Sequence, residues 1–211
     1  YAPIDYSFET AEKPSIRIAI LSPIQQIDDI IGHLNNLNVK YSAKSGEMFL
    51  PNYEGFYDIY KRNLNIPNKN NNQLCRTYDE TATCNENTKS FVDSIKSQID
   101  YFQTQLSDFD VLVVYIPKSF AKFREDSNYD LDFNLHDAIK LYGTNKGVKI
   151  QFIEERSLGA YDKCKVMWAL STSIYAKASG VLWHPLVLDD ETAFVGISYA
   201  KSNKKGICIG C

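Results

Sequence analysis

Four polar side chains in the second half of the chain are of types that could hold an anion. His136 and Lys140 are four residues apart in a segment with helical spacing, so both should lie on one face of a helix. Gln151 falls in the carboxyl-terminal half of the next predicted strand, and Lys177 near the end of the following predicted helix. Two ammonium groups, an amide and an imidazole match the charge and acceptor oxygens of a terminal phosphate. Spacing alone, however, favours the simpler interpretation of Lys140 and Lys177 as solvated charges on helix surfaces and of His136 as a polar residue near a helix amino terminus.

The elements that must position these residues alternate between strands and helices. Ser22-Pro23 is typical of an N-cap followed by the first position of a helix. The alternation predicts an α/β fold, a Rossmann-like parallel sheet flanked by helices, with a carboxyl-terminal hairpin. Short β-branched runs predict strands at 16–21, 110–117 and 148–153 and a hairpin from 192–199 and 206–211, whereas apolar residues three and four apart predict helices after residue 23 and within 91–106, 135–142 and 161–178.

In three other segments the apolar residues show no clear helical or strand period. Residues 46–67 are rich in aromatic side chains, which we expect to fill the core, although a surface for a protein partner is the alternative. The Asn-rich segment 68–87 is the best candidate for a mobile loop, and the polar segment 118–134 is predicted to be a second loop.

Composition excludes several classes of protein. The chain has 211 residues, 44% of them hydrophobic, and a formal net charge of −3, which is incompatible with a disordered chain and disfavours non-specific coating of duplex DNA. No apolar run is long enough to span a bilayer, and no signal peptide is visible. The five cysteines, an odd number, therefore indicate reduced thiols in a cytoplasmic protein.

The common enzyme motifs are missing from the sequence. It has no G-x-G-x-x-G, Walker A, H-E-x-x-H or G-x-S-x-G pattern. Cys208 and Cys211 should point to opposite faces of a strand, which is a poor arrangement for sharing a metal ion. Of the other two histidines, His33 is expected at the surface or the edge of the core, and His184 is given no role.

Four segments of the chain resemble the MID domain of a prokaryotic Argonaute as it continues into the first strand of its PIWI domain. The resemblance is good over 110–211 and looser over 16–67, and its most specific part is the order of His136, Lys140, Gln151 and Lys177. It implies a lead-in at 1–14, a MID-like domain at 15–185 and the beginning of an RNase H-like PIWI domain at 186–211. The four segments read LDFNLHDAIK from 131, VKIQFI from 148, ALSTSIYAKASGVLW from 169 and TAFVGISY from 192.

The resemblance implies that the chain binds the 5′-phosphate of a short RNA or DNA guide strand that pairs with target nucleic acid. Lys140 and Lys177 would neutralise the phosphate and Gln151 would donate to it. His136 stands where the family often has Tyr or Arg, and would stack on the first nucleotide or hydrogen-bond it or its phosphate. Residues 124–135 would face the first base. A divalent cation, Mg²⁺ or another, is implied at the phosphate.

The sequence departs from the family pattern at two places. Ser198 occupies the position of the first catalytic Asp, and a hydroxyl cannot bridge two metal ions as a carboxylate does, so we expect no slicing activity and no enzyme. Ser179-Gly180-Val181-Leu182-Trp183 replaces the usual Gly-Gly-x-Pro-Trp. The chain ends far short of a complete PIWI domain and lacks an initial Met, so we expect it to be part of something longer. Catalytically silent short Argonautes imply a partner with an Argonaute-associated domain, an effector of Sir2 or TIR type acting in prokaryotic defence, and no membrane.

A second hypothesis belongs to another class of protein. A flavodoxin-like α/β enzyme or sensor would use the same edge of the sheet, with Gln151 and Lys177 holding a small anionic ligand.

Overall fold

The computed structural model describes residues 15–44, 49–78, 87–126, 129–130, 133–183, 191, 195, 198–202 and 206–210. The predicted lead-in at 1–14 lies outside them. The strands of the described residues are β1 (Ser15–Leu21), β2 (Asn63–Asn65), β3 (Cys75–Arg76), β4 (Val111–Ile116), β5 (Ile150–Glu154), β6 (Ser198–Ser202) and β7 (Gly206–Gly210). The α-helices are α1 (Ile27–Asn35), α2 (Phe56–Tyr60), α3 (Thr88–Gln103), α4 (Leu135–Asn145), α5 (Glu155–Leu158) and α6 (Lys163–Lys177).

The first five strands form one parallel sheet. Its order is β2-β1-β4-β5, and β3 joins the same flank of β1 as β2, but nearer the carboxyl end of β1. All six residues of β4 are buried, as expected of a central parallel strand covered on both faces. Among the described residues β5 pairs only with β4, so it forms the other edge. The predicted parallel α/β sheet flanked by helices is therefore confirmed, and the topology is consistent with a Rossmann-like fold.

Helices cover the sheet with a separate apolar core on each face. Alternate residues of β1 and β4 point to opposite faces, because the side-chain period of a strand is two. One core is formed with α1, α2 and α6, and includes the stacked rings of Tyr60 and Tyr175, whose centroids are 4.4 Å apart. The other is formed with α3, α4 and a 3₁₀ segment, Lys118–Phe123. The predicted role of the aromatic residues in 46–67 is confirmed for Tyr53, Phe56 and Tyr60, which are completely buried.

Three of the helices begin at a polar residue that caps them. The side chains of Asn87, Asn134 and Asp162 each accept a hydrogen bond from the backbone N–H three residues later, at the start of α3, α4 and α6. The prediction that Ser22 caps the first helix was wrong. Its buried hydroxyl donates to the carbonyl of Pro23, and a 3₁₀ turn, Ile24–Gln26, separates Pro23 from α1.

Segments predicted to be irregular contain regular structure that depends on contacts distant in sequence. Residues 46–67 contribute α2 and β2, and the predicted mobile loop at 68–87 contributes β3. The predicted loop at 118–134 contains the 3₁₀ segment, in which Phe120 and Phe123 are buried. These short elements have no periodic signal of their own, because pairing with β1 or packing on the core determines them.

The carboxyl-terminal hairpin is confirmed over the described residues, whereas residues 192–194 and 196–197 of its predicted first strand lie outside them. Strands β6 and β7 are antiparallel, with Ser198 opposite Gly210 and Ser202 opposite Gly206. His184 and Cys211 lie outside the described residues. The side chains of Cys75 and Cys164 are buried. None of the described helices combines the length and apolar character needed to cross a membrane.

Candidate anion-binding site

The edge strand β5 brings three of the four predicted site residues to one border of the sheet. Helix α4 lies on one face, where Ile139 and Ile150 share a core, and α6 lies on the other, where Ile153 and Ile174 share the second core. Lys140 comes from α4, Lys177 from the last turn of α6, and Gln151 from β5 between them. The strand edge is therefore flanked by one lysine from each layer of helices.

The two lysines are close enough to repel each other. Burial lowers the pKa of the Lys177 ammonium below its ordinary value, and the positive charge of Lys140 lowers it further. Both residues are partly buried, and no carboxylate among the described residues forms an ion pair with either one. A cation in the last turn of a helix is favoured by the helix dipole, which accounts for Lys177 alone. It does not account for a second ammonium placed beside it.

Gln151 is at the edge strand, but not in the predicted half of it. The prediction began the strand at residue 148, whereas β5 begins at Ile150, so Gln151 is its second residue and lies in the amino-terminal half. Its Nε2 donates to the carbonyl of Phe152 at 2.8 Å, a carbonyl on this edge strand. The side chain also lines a cleft of about 200 Å³ together with His33 and Ser173. Ser173 precedes Lys177 by one turn of α6, so the cleft lies about one helical turn from Lys177, although neither lysine lines it.

His136 is at the first turn of α4, one turn before Lys140, and about half of its side chain is exposed. Its ring lies 4.9 Å from the ring of Phe152 at an interplanar angle of 40°, and its Nδ1 is 3.0 Å from a carboxylate oxygen of Asp137. Asp137 occupies one of the two ring nitrogens, and both predicted roles of His136, stacking and hydrogen bonding, stay predictions. His136 and Phe152 line a second cleft, of about 340 Å³, at the carboxyl ends of β4 and β5.

The second cleft contains part of the predicted loop at 124–135. Arg124 and Asn134 line it, together with Glu154 from the end of β5, which is 3.8 Å from the Arg124 guanidinium. Residues 127–128 and 131–132 of that loop lie outside the described residues. The cleft therefore offers charged and hydrogen-bonding groups beside a pair of tilted aromatic rings, an arrangement that could accommodate a flat heterocycle.

Sequence reasoning missed two members of this region. His33 is only 6% exposed, which excludes the first of its two expected positions, the surface, and leaves the second, the edge of the core; its Nε2 has no hydrogen-bond partner among the described residues. Burial, reinforced by the charge of Lys163, lowers the pKa of His33. The sequence predicts Phe152 only as part of a strand. Strand alternation is enough to put its side chain on the face of the sheet opposite to that of Gln151, but no local signal places His33 beside β5.

The donor set at the two lysines suits a phosphate better than a metal ion. Lys140, Lys177 and Gln151 supply ammonium and amide donors, whereas Mg²⁺ prefers carboxylate and carbonyl oxygens. Within the part of the chain that the structure describes, no three His, Cys, Asp or Glu side chains cluster as a metal site would require. The divalent cation expected from the resemblance stays a prediction. Comparison of the chain with protein-family models and with curated proteins found no match.

Proposed function

We propose that this chain is a nucleic-acid-binding module that anchors the 5′-phosphorylated end of a short guide strand at the edge of β5. The observation that carries the proposal is the meeting of Lys140 and Lys177 at that edge without an acidic partner among the described residues. Folding has placed two like charges together and removed part of their water, which is unfavourable unless an anion relieves it.

A terminal phosphate fits this arrangement better than an internal phosphodiester. A monoester carries close to two negative charges near neutral pH, and a diester carries one. Two ammonium groups can each donate a charge-assisted hydrogen bond to its oxygens, and each such bond contributes about 1.5–3 kcal/mol. The Gln151 amide retains a second N–H beyond the one that Phe152 accepts, and this N–H is available to the same ligand.

The nucleoside attached to that phosphate would extend toward the second cleft. His136 lies one helical turn from Lys140, and its ring forms with Phe152 the wall of that cleft. Stacking of a base on an aromatic side chain contributes about 1–3 kcal/mol and tolerates any base. The base would then meet Arg124 and Glu154, whose side chains can hydrogen-bond its edge.

The proposal includes the identity that the resemblance implies, a MID-like domain followed by the first strands of a catalytically silent PIWI domain. The resemblance implies a catalytic Asp at the end of the first PIWI strand, at the position of Ser198, whereas Ser198 is the first residue of β6. The chain would therefore hold a guide RNA or DNA and present it to target nucleic acid, while a Sir2- or TIR-type partner supplies the effector activity. The alternative, a flavodoxin-like enzyme or sensor, would bind a small anion at the same two lysines.

Binding of matched oligonucleotides tests the proposal. Fluorescence anisotropy would compare one short labelled strand carrying a 5′-phosphate, a 5′-hydroxyl or a 3′-phosphate. We expect the 5′-phosphate to improve affinity about tenfold or more, because one good charge-assisted hydrogen bond corresponds to that factor. The double substitution Lys140→Ala, Lys177→Ala should abolish the preference and leave the affinity of the 5′-hydroxyl strand nearly unchanged.

Lys146→Ala is the matched control. Lys146 follows α4 directly, but its ammonium is 2.9 Å from Asp100. The control should keep the wild-type preference. Equal affinity of the wild type for all three strands would contradict the proposal. If inorganic phosphate or a mononucleotide displaced the strand as effectively as an unlabelled 5′-phosphorylated strand does, the small-anion alternative would replace it.

A further inference from the structure

A buried histidine and the site glutamine share the cleft of about 200 Å³ between α1, β5 and α6. His33 comes from α1, Gln151 from β5, and Ser173 from α6. The remaining lining residues are Phe152, Ile153, Ser157, Val166, Ala169 and Leu170. The cleft is therefore mostly apolar, with four polar side chains and no charged side chain among its lining residues.

His33 is a buried side chain with a ring nitrogen that needs a hydrogen bond. Its side chain lies in the row of buried residues of α1, beside Ile30 and Leu34, and its Nε2 has no partner among the described residues. A buried polar atom without a hydrogen bond costs about 1–3 kcal/mol. Because burial and Lys163 both disfavour the charged form, the imidazole is neutral near pH 7 and can donate or accept through Nε2.

The Gln151 carboxamide offers a partner across the same cleft. Its nitrogen already donates to the Phe152 carbonyl, so one end of the amide is fixed at the strand edge. A planar carboxamide places its oxygen on the side opposite its nitrogen. A group that holds the oxygen in the cleft therefore turns the remaining N–H outward. The cleft has room for several water molecules at about 30 Å³ each, and four polar side chains can hold one in place.

We propose that His33 is a positioning residue for the phosphate site: its buried imidazole holds the oxygen of the Gln151 carboxamide, through water in the cleft, so that the amide N–H faces the ligand. The proposal rests on the proposed function, since it concerns how Gln151 discriminates a 5′-phosphate. His33 itself does not touch the phosphate. Its contribution passes entirely through Gln151, which distinguishes it from a residue that only supports the fold.

A double-mutant cycle on the phosphate preference tests this coupling. The preference is the Kd for the 5′-hydroxyl strand divided by the Kd for the 5′-phosphorylated strand. We expect Gln151→Met to lower it about tenfold and His33→Leu to lower it about three- to tenfold, with little change for the 5′-hydroxyl strand. The double variant should fall no lower than Gln151→Met alone. His33→Gln, which restores a hydrogen-bonding side chain, should recover most of the preference.

Several results would overturn the coupling while leaving the proposed function intact. These are an unchanged preference in His33→Leu, a double variant whose loss is the product of the two single losses, and equal weakening of both strands. A wild type that shows no phosphate preference would instead contradict the proposed function itself, and with it this inference.

The wild-type protein allows a measurement that does not depend on whether a variant folds. The imidazole ¹⁵N resonances of His33 and the side-chain amide resonances of Gln151 can be followed by NMR during titration with each strand. Both sets should shift with the 5′-phosphorylated strand and stay in place with the 5′-hydroxyl strand. His33 resonances that do not respond to the phosphate would overturn the proposal.

Discussion

The two sides of the sheet, one at β1 and β3 and the other at β5, differ in whether their lysine and arginine side chains have partners. A cleft not described above, of about 480 Å³, lies at the carboxyl ends of β1 and β3 and contains Lys69 and Arg76; we call it the larger cleft. The smaller one is the cleft of about 200 Å³ lined by Gln151 and His33. It lies beside β5, whose edge is flanked by Lys140 and Lys177. Open α/β sheets usually bind ligands outside the carboxyl ends of their strands, so size and place both favour the larger cleft.

The cations of the larger cleft already have partners. The Lys69 ammonium is 2.9 Å from Asp28, and Arg76 donates to Gln98 at 2.6 Å and lies 3.9 Å from the ring centre of Tyr101. At the β5 edge, no carboxylate among the described residues forms an ion pair with the ammonium group of Lys140 or of Lys177. Our proposal therefore follows the cations that have no acidic partner among the described residues, and not the volume of the cleft.

The largest expected effect follows from reversing one charge at the β5 edge. Lys177→Glu should lower the affinity for a 5′-phosphorylated strand about 100-fold or more, because an attraction becomes a repulsion. The melting temperature should change little, since Lys140 gains an acidic neighbour while the last turn of α6 exchanges a cation favoured by the helix dipole for an anion. The matched reversal, Lys69→Glu, should do the opposite: it places two carboxylates together at Asp28, lowers stability and leaves binding unchanged. Similar effects of both reversals on binding would remove the distinction between the two regions.

Loss of the helix cap beside the second cleft should affect both stability and binding. Asn134→Ala removes the side chain that accepts from the Asp137 N–H, at a cost of about 1 kcal/mol. The first turn of α4 carries His136, so fraying of that turn should also weaken guide binding severalfold. Asn87→Ala removes the same kind of cap from α3 and should cost similar stability with binding unaffected. Thermal unfolding and anisotropy would measure both, and unchanged binding in Asn134→Ala would argue against a role for His136.

Removing a paired cation should change stability alone. Arg76→Ala loses the hydrogen bond to Gln98 and the contact with Tyr101, at a cost of about 0.5–1.5 kcal/mol. We expect the melting temperature to fall by about 2–4 °C for each kcal/mol, with the phosphate preference unchanged. A loss of preference in this variant would move the binding site to the larger cleft.

The smallest expected effect is a dependence of stability on acid pH that comes from His33. Its pKa is lowered in the folded protein, so between the folded and unfolded values the unfolded chain binds more protons. Stability should therefore be unaffected above about pH 6.5 and fall as the pH drops below it, by less than about 1.4 kcal/mol per pH unit. Thermal unfolding at pH 7 and pH 5.5 should show a smaller acid shift for His33→Leu than for the wild type. Because both proteins retain His136, the difference between their shifts isolates His33, and identical shifts would contradict the assignment.

Local sequence patterns were enough to predict the helices and strands whose own residues show a clear hydrophobic period. The β-branched runs of β1 and β4 and the apolar faces of α3 and α6 were located to within a few residues. Strands β2 and β3 were not predicted, because they are two or three residues long and exist through pairing with β1. The same limit displaced Gln151 within its strand, since the boundary of β5 depends on its register with β4.

Sequence pattern is enough to predict the α/β class of the fold, the order of its main elements and the residue types suited to a phosphate. The packing of distant elements sets which lysines form ion pairs with acids, brings α4 and α6 with Lys140 and Lys177 to one strand edge, and buries His33 in the same cleft as Gln151. Periodicity reports which face of an element is apolar, whereas the charge around a side chain and its burial depend on elements that are distant in the sequence.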